Sequence, residues 1–298
     1  MKDGAKGRAS AVAGERGTTG TEVVVAGLHD RFSYNIAHLG FESDGFRVNN
    51  DIDQEVTTAF LQYRATYSTS FQAELRSTET NTGDLTTLFD PSRFQANLRQ
   101  NEQVDTLRLG MRHDISERGT LLASLIAQDI ESLASNPPVA RLSTNADGLS
   151  ADVQYLWRGD RWTLTSGLTH LALDRFDDHS LLVPDSVPPT TVEMSDRFDQ
   201  KQTVAYGYAH LFATDRLTLT VGASADSVKS YALSEDRLNP KLGVIWEAGD
   251  RTTVRASFFG TLQGALSSAK QNIQPRLEPF QVAGFTQFFF DREGDHAD

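Results

Sequence analysis

Leu238–Leu262 reads LNPKLGVIWEAGDRTTVRASFFGTL. Leu242, Val244 and Trp246 stand two residues apart, EAGDR turns the chain, and Val254, Ala256 and Phe258 resume the same spacing. A two-residue period puts these side chains on one side of an antiparallel hairpin. The fold turns on whether that side packs against a protein core or faces lipid.

The unit recurs along the chain. In GLSADVQYLW, Leu149, Ala151, Val153, Tyr155 and Trp157 share a face opposite Ser150, Asp152 and Gln154; after RGDR, Trp162, Leu164 and Leu168 oppose Thr163, Thr165 and Thr169. Ala59, Leu61, Tyr63, Ala65 and Tyr67 oppose Gln62, Arg64 and Thr66, and the return carries Phe71, Ala73 and Leu75 against Gln72, Glu74 and Arg76. Leu107, Leu109 and Met111 alternate with Arg108 and Arg112, while Leu217, Leu219, Val221 and Ala223 alternate with Thr218, Thr220, Gly222 and Ser224. EVVVAGLHDRFSYNIAHLGF from Glu22 aligns without gaps on DVQYLWRGDRWTLTSGLTHL from Asp152, which adds an N-terminal hairpin.

These patterns predict about 13 strands, near 21–28, 32–46, 54–67, 71–80, 103–113, 119–131, 148–158, 161–174, 199–212, 216–229, 240–248, 251–261 and 281–290. Residues 1–20 read as a disordered N-terminal segment, 21–290 as a β-barrel meander and 291–298 as a polar tail. Short turns (HDR, STS, HDISERG, RGDR, ATDR, EAGDR) interleave with longer loops at about 81–102, 132–147, 175–198 and 262–280. Short links at one end and long links at the other are the plan of an outer-membrane barrel. Sandwiches mix Greek-key connections instead. The fold class expected is therefore all-β, an antiparallel up-and-down meander forming a transmembrane β-barrel.

Aromatic residues gather at strand ends in such barrels, where an amphipathic ring sits at the headgroup level. Trp157, Trp162 and Trp246, all three tryptophans of the chain, flank short turns together with Tyr67, Phe71 and Phe212, and these six are the expected interface aromatics. The opposite face, with Arg64, Glu74, Arg76, Arg108 and Arg112, suits a wet lumen and would be costly in a dry core. Those charges either form a charged interior that meets a plug or screens solutes, or simply compensate one another in water. A Trp beside a hairpin turn also caps a soluble β-core, so a soluble β-sheet module binding carbohydrate or protein through long loops is the rival reading. A plug-less porin-like or secretion channel is the third.

Composition narrows the classes. No window of the 298 residues approaches the 18 apolar positions of a membrane-spanning helix, whereas barrel strands keep an average hydropathy as low as the −0.39 found here. A net charge of −12 speaks against a nucleic-acid partner. With no cysteine, thiolate metal sites and Cys nucleophiles are excluded. The first 20 residues lack the apolar stretch of a secretory signal. GxxxxGK[ST], HExxH and GxSxG do not occur, so neither enzymatic activity nor a cofactor is expected. The one cluster of metal-ligand type is Asp174, Asp177, Asp178 and His179 in an expected extracellular loop; a solvated acidic loop explains it more simply, because calcium-loop spacing is missing.

Leu238–Leu262, followed by QPRLEPFQVAGFTQFF, resembles the barrel of TonB-dependent outer-membrane receptors. Asn239, Pro240 and Lys241 fit that family's lead-in, and Leu277, Glu278, Pro279, Gly284 and Phe285 fit its later segment loosely, with Glu and Pro exchanged in order. The resemblance implies solute uptake or passage across the outer membrane, with membrane lipid as one partner. It further implies a plug domain and an energy-coupling protein supplied by sequence outside this chain, since the family's plug has no room before the first expected strand. An odd strand count implies a barrel completed by further sequence.

Overall fold

The computed structural model describes residues 3–85, 94–183, 190–230 and 234–260. Thirteen strands lie in these stretches: β1 Gly4–Ala13, β2 Thr19–His29, β3 Phe32–Ser43, β4 Ile52–Arg64, β5 Thr69–Thr82, β6 Arg99–Asp114, β7 Gly119–Asn136, β8 Ala140–Arg158, β9 Trp162–Val183, β10 Thr190–Thr214, β11 Leu217–Ser230, β12 Ser234–Gly249 and β13 Thr252–Phe259. They form one antiparallel sheet in sequence order, with β1 and β13 as its edges among the described residues. No helix occurs among the described residues. Two compact units divide the chain. One comprises Met1–Gly110, Ile126–Leu149 and Leu173–Phe198, and the other Met111–Leu125, Ser150–Ala172 and the described residues from Asp199 onward.

The count of 13 matches the expectation, but the set does not. Gly4–Ala13, expected to be disordered, is a strand paired with β2 from Gly4↔Leu28 to Ala13↔Thr19. Its small and charged residues carry no legible alternation. Backbone pairing, which is blind to side chains, supplies the order instead, with an Arg8–Glu22 ion pair beside it. The thirteenth expected strand, 281–290, the loop 262–280 and the tail 291–298 lie outside the described residues.

All six short turns fall where the sequence places them, between strand ends separated by two to four residues. Local chemistry closes them. Asp30 takes a positive φ of 51° in the β2–β3 turn. The Thr66 amide donates to the Thr69 carbonyl (3.1 Å), the Gly159 amide to the Trp162 carbonyl (2.9 Å), and the Ser116 hydroxyl accepts from the Gly119 amide (3.0 Å).

The loops expected at 132–147 and 175–198 are largely strand. β7 runs to Asn136 and β8 starts at Ala140, leaving a three-residue turn. β9 continues to Val183, and β10 begins at Thr190. Stretches such as RLSTNADG are polar at nearly every position. Hydrophobic alternation marks a strand only where one face is apolar, so pairing here outlasts the pattern.

In the first unit the β3–β4 and β5–β6 connections are tied together by Asp84, 1% exposed. Its carboxylate accepts from the Gln95 amide (2.8 Å) and lies 3.4 Å from the Arg47 guanidinium, and its carbonyl accepts from Asn50 Nδ2 (2.9 Å). Removing a buried carboxylate leaves its donors unmatched, a cost of about 3 kcal/mol. Asp84→Ala should therefore accelerate amide hydrogen exchange at 44–51 and 94–98, with β11–β13 unchanged.

Candidate functional site

Register decides which residues share a face. In the first unit, Val25, Ile36, Ala59 and Leu75 lie opposite one another across β2 to β5, and so do Gly27, Tyr34, Leu61 and Ala73. In the second, Ala209, Val221, Leu242 and Phe258 align across β10 to β13, as do Leu217, Trp246 and Val254. These apolar rows are the exposed ones: Ile36 is 55% exposed, Leu75 59%, Leu242 50% and Phe258 64%. Only Ala146, Leu171 and Val228 are buried apolar residues among those described, against ten buried polar ones. A water-soluble sheet has the reverse arrangement, since each half-exposed aliphatic chain in water forgoes about 1 kcal/mol of burial. The apolar face fits hydrocarbon.

Aromatic rings border that face at its short-turn end. Phe32 and Tyr63 stack at 4.7 Å, and Phe71 lies across from Tyr63. Trp157 and Trp162 meet at 3.9 Å, and Trp246 sits between Leu217 and Val254. Tyr67 stands fully exposed in the β4–β5 turn. Phe212 departs from the expectation. It pairs with Thr218 on the polar face, while Leu211, paired with Leu219, takes the apolar side, next to an irregularity between Phe212 and Thr214. Phe32 was not singled out by sequence; its place directly after the HDR turn is the signal that marks it.

The opposite face is polar. Arg64, Glu74 and Arg76 share it with Gln62, Phe60 and Thr58 by register. Arg108 donates to Glu74 at 2.8 Å. Arg112 reaches Asp114 (3.0 Å), which also accepts from the Thr120 hydroxyl (2.7 Å). At this strand end, beside the turn, the Thr120 hydrogen bond is the largest influence on the Asp114 carboxyl; burial opposes it, and with Arg112 adding to it the carboxyl is held below its ordinary range.

Sequence did not single out the densest polar group of this face. Tyr206 and Tyr208 stack at 5.4 Å, Gln154 Nε2 donates to the Tyr206 hydroxyl (2.8 Å), and Lys241 Nζ lies 4.3 Å from the Tyr208 ring centre. Beside them the Thr169 hydroxyl donates to buried Asp152 (2.5 Å), and Asn239 donates to Asp226. Gly167 and Gly222 make the room. A Cβ on Gly167 would stand 2.6 Å from the Tyr206 hydroxyl, and one on Gly222 2.6 Å from the Tyr208 ring. AYGYAH carries the signal, two tyrosines one strand period apart.

Asp174, Asp177, Asp178 and His179 are not in a loop. They occupy β9, whose alternation sends neighbours to opposite faces. Asp174 pairs with Arg197; Asp177 accepts from Arg175 (2.6 Å) and the Thr144 hydroxyl (2.7 Å); Asp178 accepts from Ser195 (2.5 Å); His179 lies 3.9 Å from Asp196. The carboxylates have protein partners and do not converge, and no metal-holding group of three such side chains occurs among the described residues.

The family profile described as TonB dependent receptor-like, beta-barrel matches residues 13–279. The chain belongs to the TonB-dependent receptor-like β-barrel family. No curated protein sequence matches it. Among solved structures, this TonB-dependent receptor-like chain is similar to the copper transporter OprC (TM-score 0.69, 13% identity, 87% of this chain and 45% of that one). It is also similar to the ferripyoverdine receptor of the outer membrane of Pseudomonas aeruginosa (0.68, 13%, 86% and 42%) and to the alcaligin outer-membrane receptor FauA of Bordetella pertussis (0.64, 15%, 87% and 43%). The chain spans less than half the length of these three proteins. At such identities the likeness shows the fold, that of the outer-membrane β-barrel.

The two faces of this barrel wall respond oppositely to charge. Arginine at a lipid-facing midplane site costs about 2–4 kcal/mol, and in a wet lumen little. Leu219→Arg should lower the unfolding midpoint of the chain refolded into lipid vesicles, whereas Thr220→Arg, one residue on, should leave it nearly unchanged.

Proposed function

We propose that the chain forms wall of an outer-membrane receptor that admits a solute through its lumen. The exposure of the apolar face carries the reading, since rows such as Val25–Ile36–Ala59–Leu75 need a hydrocarbon solvent. In this reading Trp157, Trp162, Trp246, Tyr67 and Phe71 anchor the wall at the headgroup level, and Phe212 faces the lumen. Arg64, Glu74, Arg76, Arg108 and Arg112 line the water-filled interior and meet a plug domain there. A plug and an energy-coupling protein are its partners, and its role is binding and passage rather than catalysis.

The related structures are, by their own descriptions, a copper transporter and receptors for ferripyoverdine and alcaligin, which makes a metal or a metal-binding organic molecule a reasonable class of cargo to test. The full chain expressed with an export signal should partition with outer membranes, require detergent for extraction, and migrate differently on denaturing gels before and after boiling. A stable monomer in detergent-free buffer would favour the soluble module. Steady conductance in planar bilayers without any added domain would favour the plug-less channel.

A further inference from the structure

On the polar face of the second unit, Tyr206, Ser224 and Asn239 lie directly across from one another on β10, β11 and β12. Asp226 stands two residues from Ser224 and so shares that face, with Val204 and Arg237 across from it. Asp226 is 7% exposed and Asn239 2%. Asn239 Nδ2 donates to Asp226 Oδ2, and this one bond joins them. It leaves Asp226 Oδ1 and Asn239 Oδ1 buried without a hydrogen-bond partner.

Four carboxylates are buried among the described residues, and the other three are better met. Asp84 lies against Arg47, Asp177 against Arg175, and Asp152 accepts from Thr169. Of the four, only Asp226 keeps a buried oxygen that accepts nothing. Cations stand nearby without filling the gap. Lys241, two residues beyond Asn239, rests on the Tyr208 ring, 4.3 Å from its centre, and Arg237 is exposed; neither donates to Asp226 Oδ1. A Cβ on Gly260 would stand 3.0 Å from Asn239 Oδ1, so the glycine keeps side-chain atoms away from that oxygen. Buried polar atoms in folded proteins are matched almost without exception, so two orphaned acceptors on adjacent strands, one of them anionic, mark a place for a donor.

Chemistry selects the donor. Calcium or magnesium would need about six or more oxygen ligands, and no group of three metal-ligating side chains occurs among the described residues. A bridging water would satisfy both acceptors and leave the charge of Asp226 unmatched. A primary ammonium brings N–H donors together with the opposite charge, so it meets both oxygens and the charge at once.

We propose that this pair binds the primary ammonium group of a small organic molecule, with Asp226 Oδ1 as its counter-ion and Asn239 Oδ1 as a second acceptor. The proposal rests on the uptake reading, in which this face lines the lumen, and it narrows the cargo to molecules that carry such a group.

Butylammonium is the probe, with butanol as its uncharged analogue and butyltrimethylammonium as the cation without N–H donors. Binding is read by saturation-transfer NMR on the full chain in nanodiscs of zwitterionic lipid, against empty nanodiscs. Butylammonium should bind saturably, and the other two at least about tenfold more weakly. Asp226→Asn should weaken butylammonium by about tenfold. Asp236→Asn, at an exposed acid across from Ser227 on the opposite face, should bind as the unaltered chain does. Absence of saturable binding would overturn the proposal and mean that water alone meets the two oxygens. Equal binding of butyltrimethylammonium, or an affinity within about twofold for Asp226→Asn, would overturn it as well. The comparison of the three probes needs no variant. Correct insertion with heat-sensitive gel mobility but no butylammonium binding would leave the barrel reading standing and remove only the cargo assignment.

Discussion

In hydrocarbon a backbone amide has no water to turn to, so each must be matched along the ladder between neighbouring strands. The ladder fixes more than strand order. Because side chains alternate with a period of two, the register Leu219↔Val244 and Val221↔Leu242 also decides that Thr218, Thr220 and Gly222 face the other way. A slip of one residue would bring threonines to the lipid and leucines to the lumen, reversing the solvent preference of the whole strand. Turn chemistry guards against this, since only two to four residues separate the strands at each of the six short turns, and the irregularities beside two of them, between Phe212 and Thr214 and between Glu247 and Gly249, do not propagate into the strands.

Once the apolar side is committed to lipid, the other side carries the polar chemistry. Buried Asp152 and Asp177 are met by Thr169 and Arg175, and Asp226 and Asn239 by one bond between them; the water-filled interior proposed for this face would spare such groups the full cost of a dry core. Tyr206 and Tyr208 fill space over Gly167 and Gly222, so the wall keeps bulk where the backbone itself is bare. The same face carries the Arg108–Glu74 pair in the first unit. Toward the strand ends away from the short turns the apolar alternation lapses, and polar residues such as Asp174, Asp177 and Asp178 are met by partners on neighbouring strands or along their own.

Sequence was most readable where lipid imposes alternation. Leu217–Ser224 and Leu242–Trp246 could be assigned to faces residue by residue, and the register agrees with those assignments. Legibility failed where that demand lapses. Gly4–Ala13 is ordered by its neighbour's backbone, and Ala140–Asp147 and Arg175–Val183 extend beyond the apolar pattern. Phe212 lies beside a turn as the tryptophans do, but nearness to a turn does not fix a face, and alternation from Leu211 places it on the polar side. DRFDDH looked like a cluster only in one dimension, since β9 splits it between two faces. The Tyr206–Tyr208–Lys241 group, spread over two strands, needed the register to become visible.

Contact between the apolar face of the sheet and lipid can be read residue by residue along one strand. The chain has no cysteine, so single cysteines can be introduced one at a time from Leu217 to Ser224 and labelled with an environment-sensitive fluorophore. In vesicles containing brominated lipid, labels at 217, 219, 221 and 223 should be quenched by the lipid, and labels at 218, 220, 222 and 224 by iodide in the water. Uniform quenching along the strand, or lipid quenching at the threonine positions, would mean that the apolar face does not meet lipid.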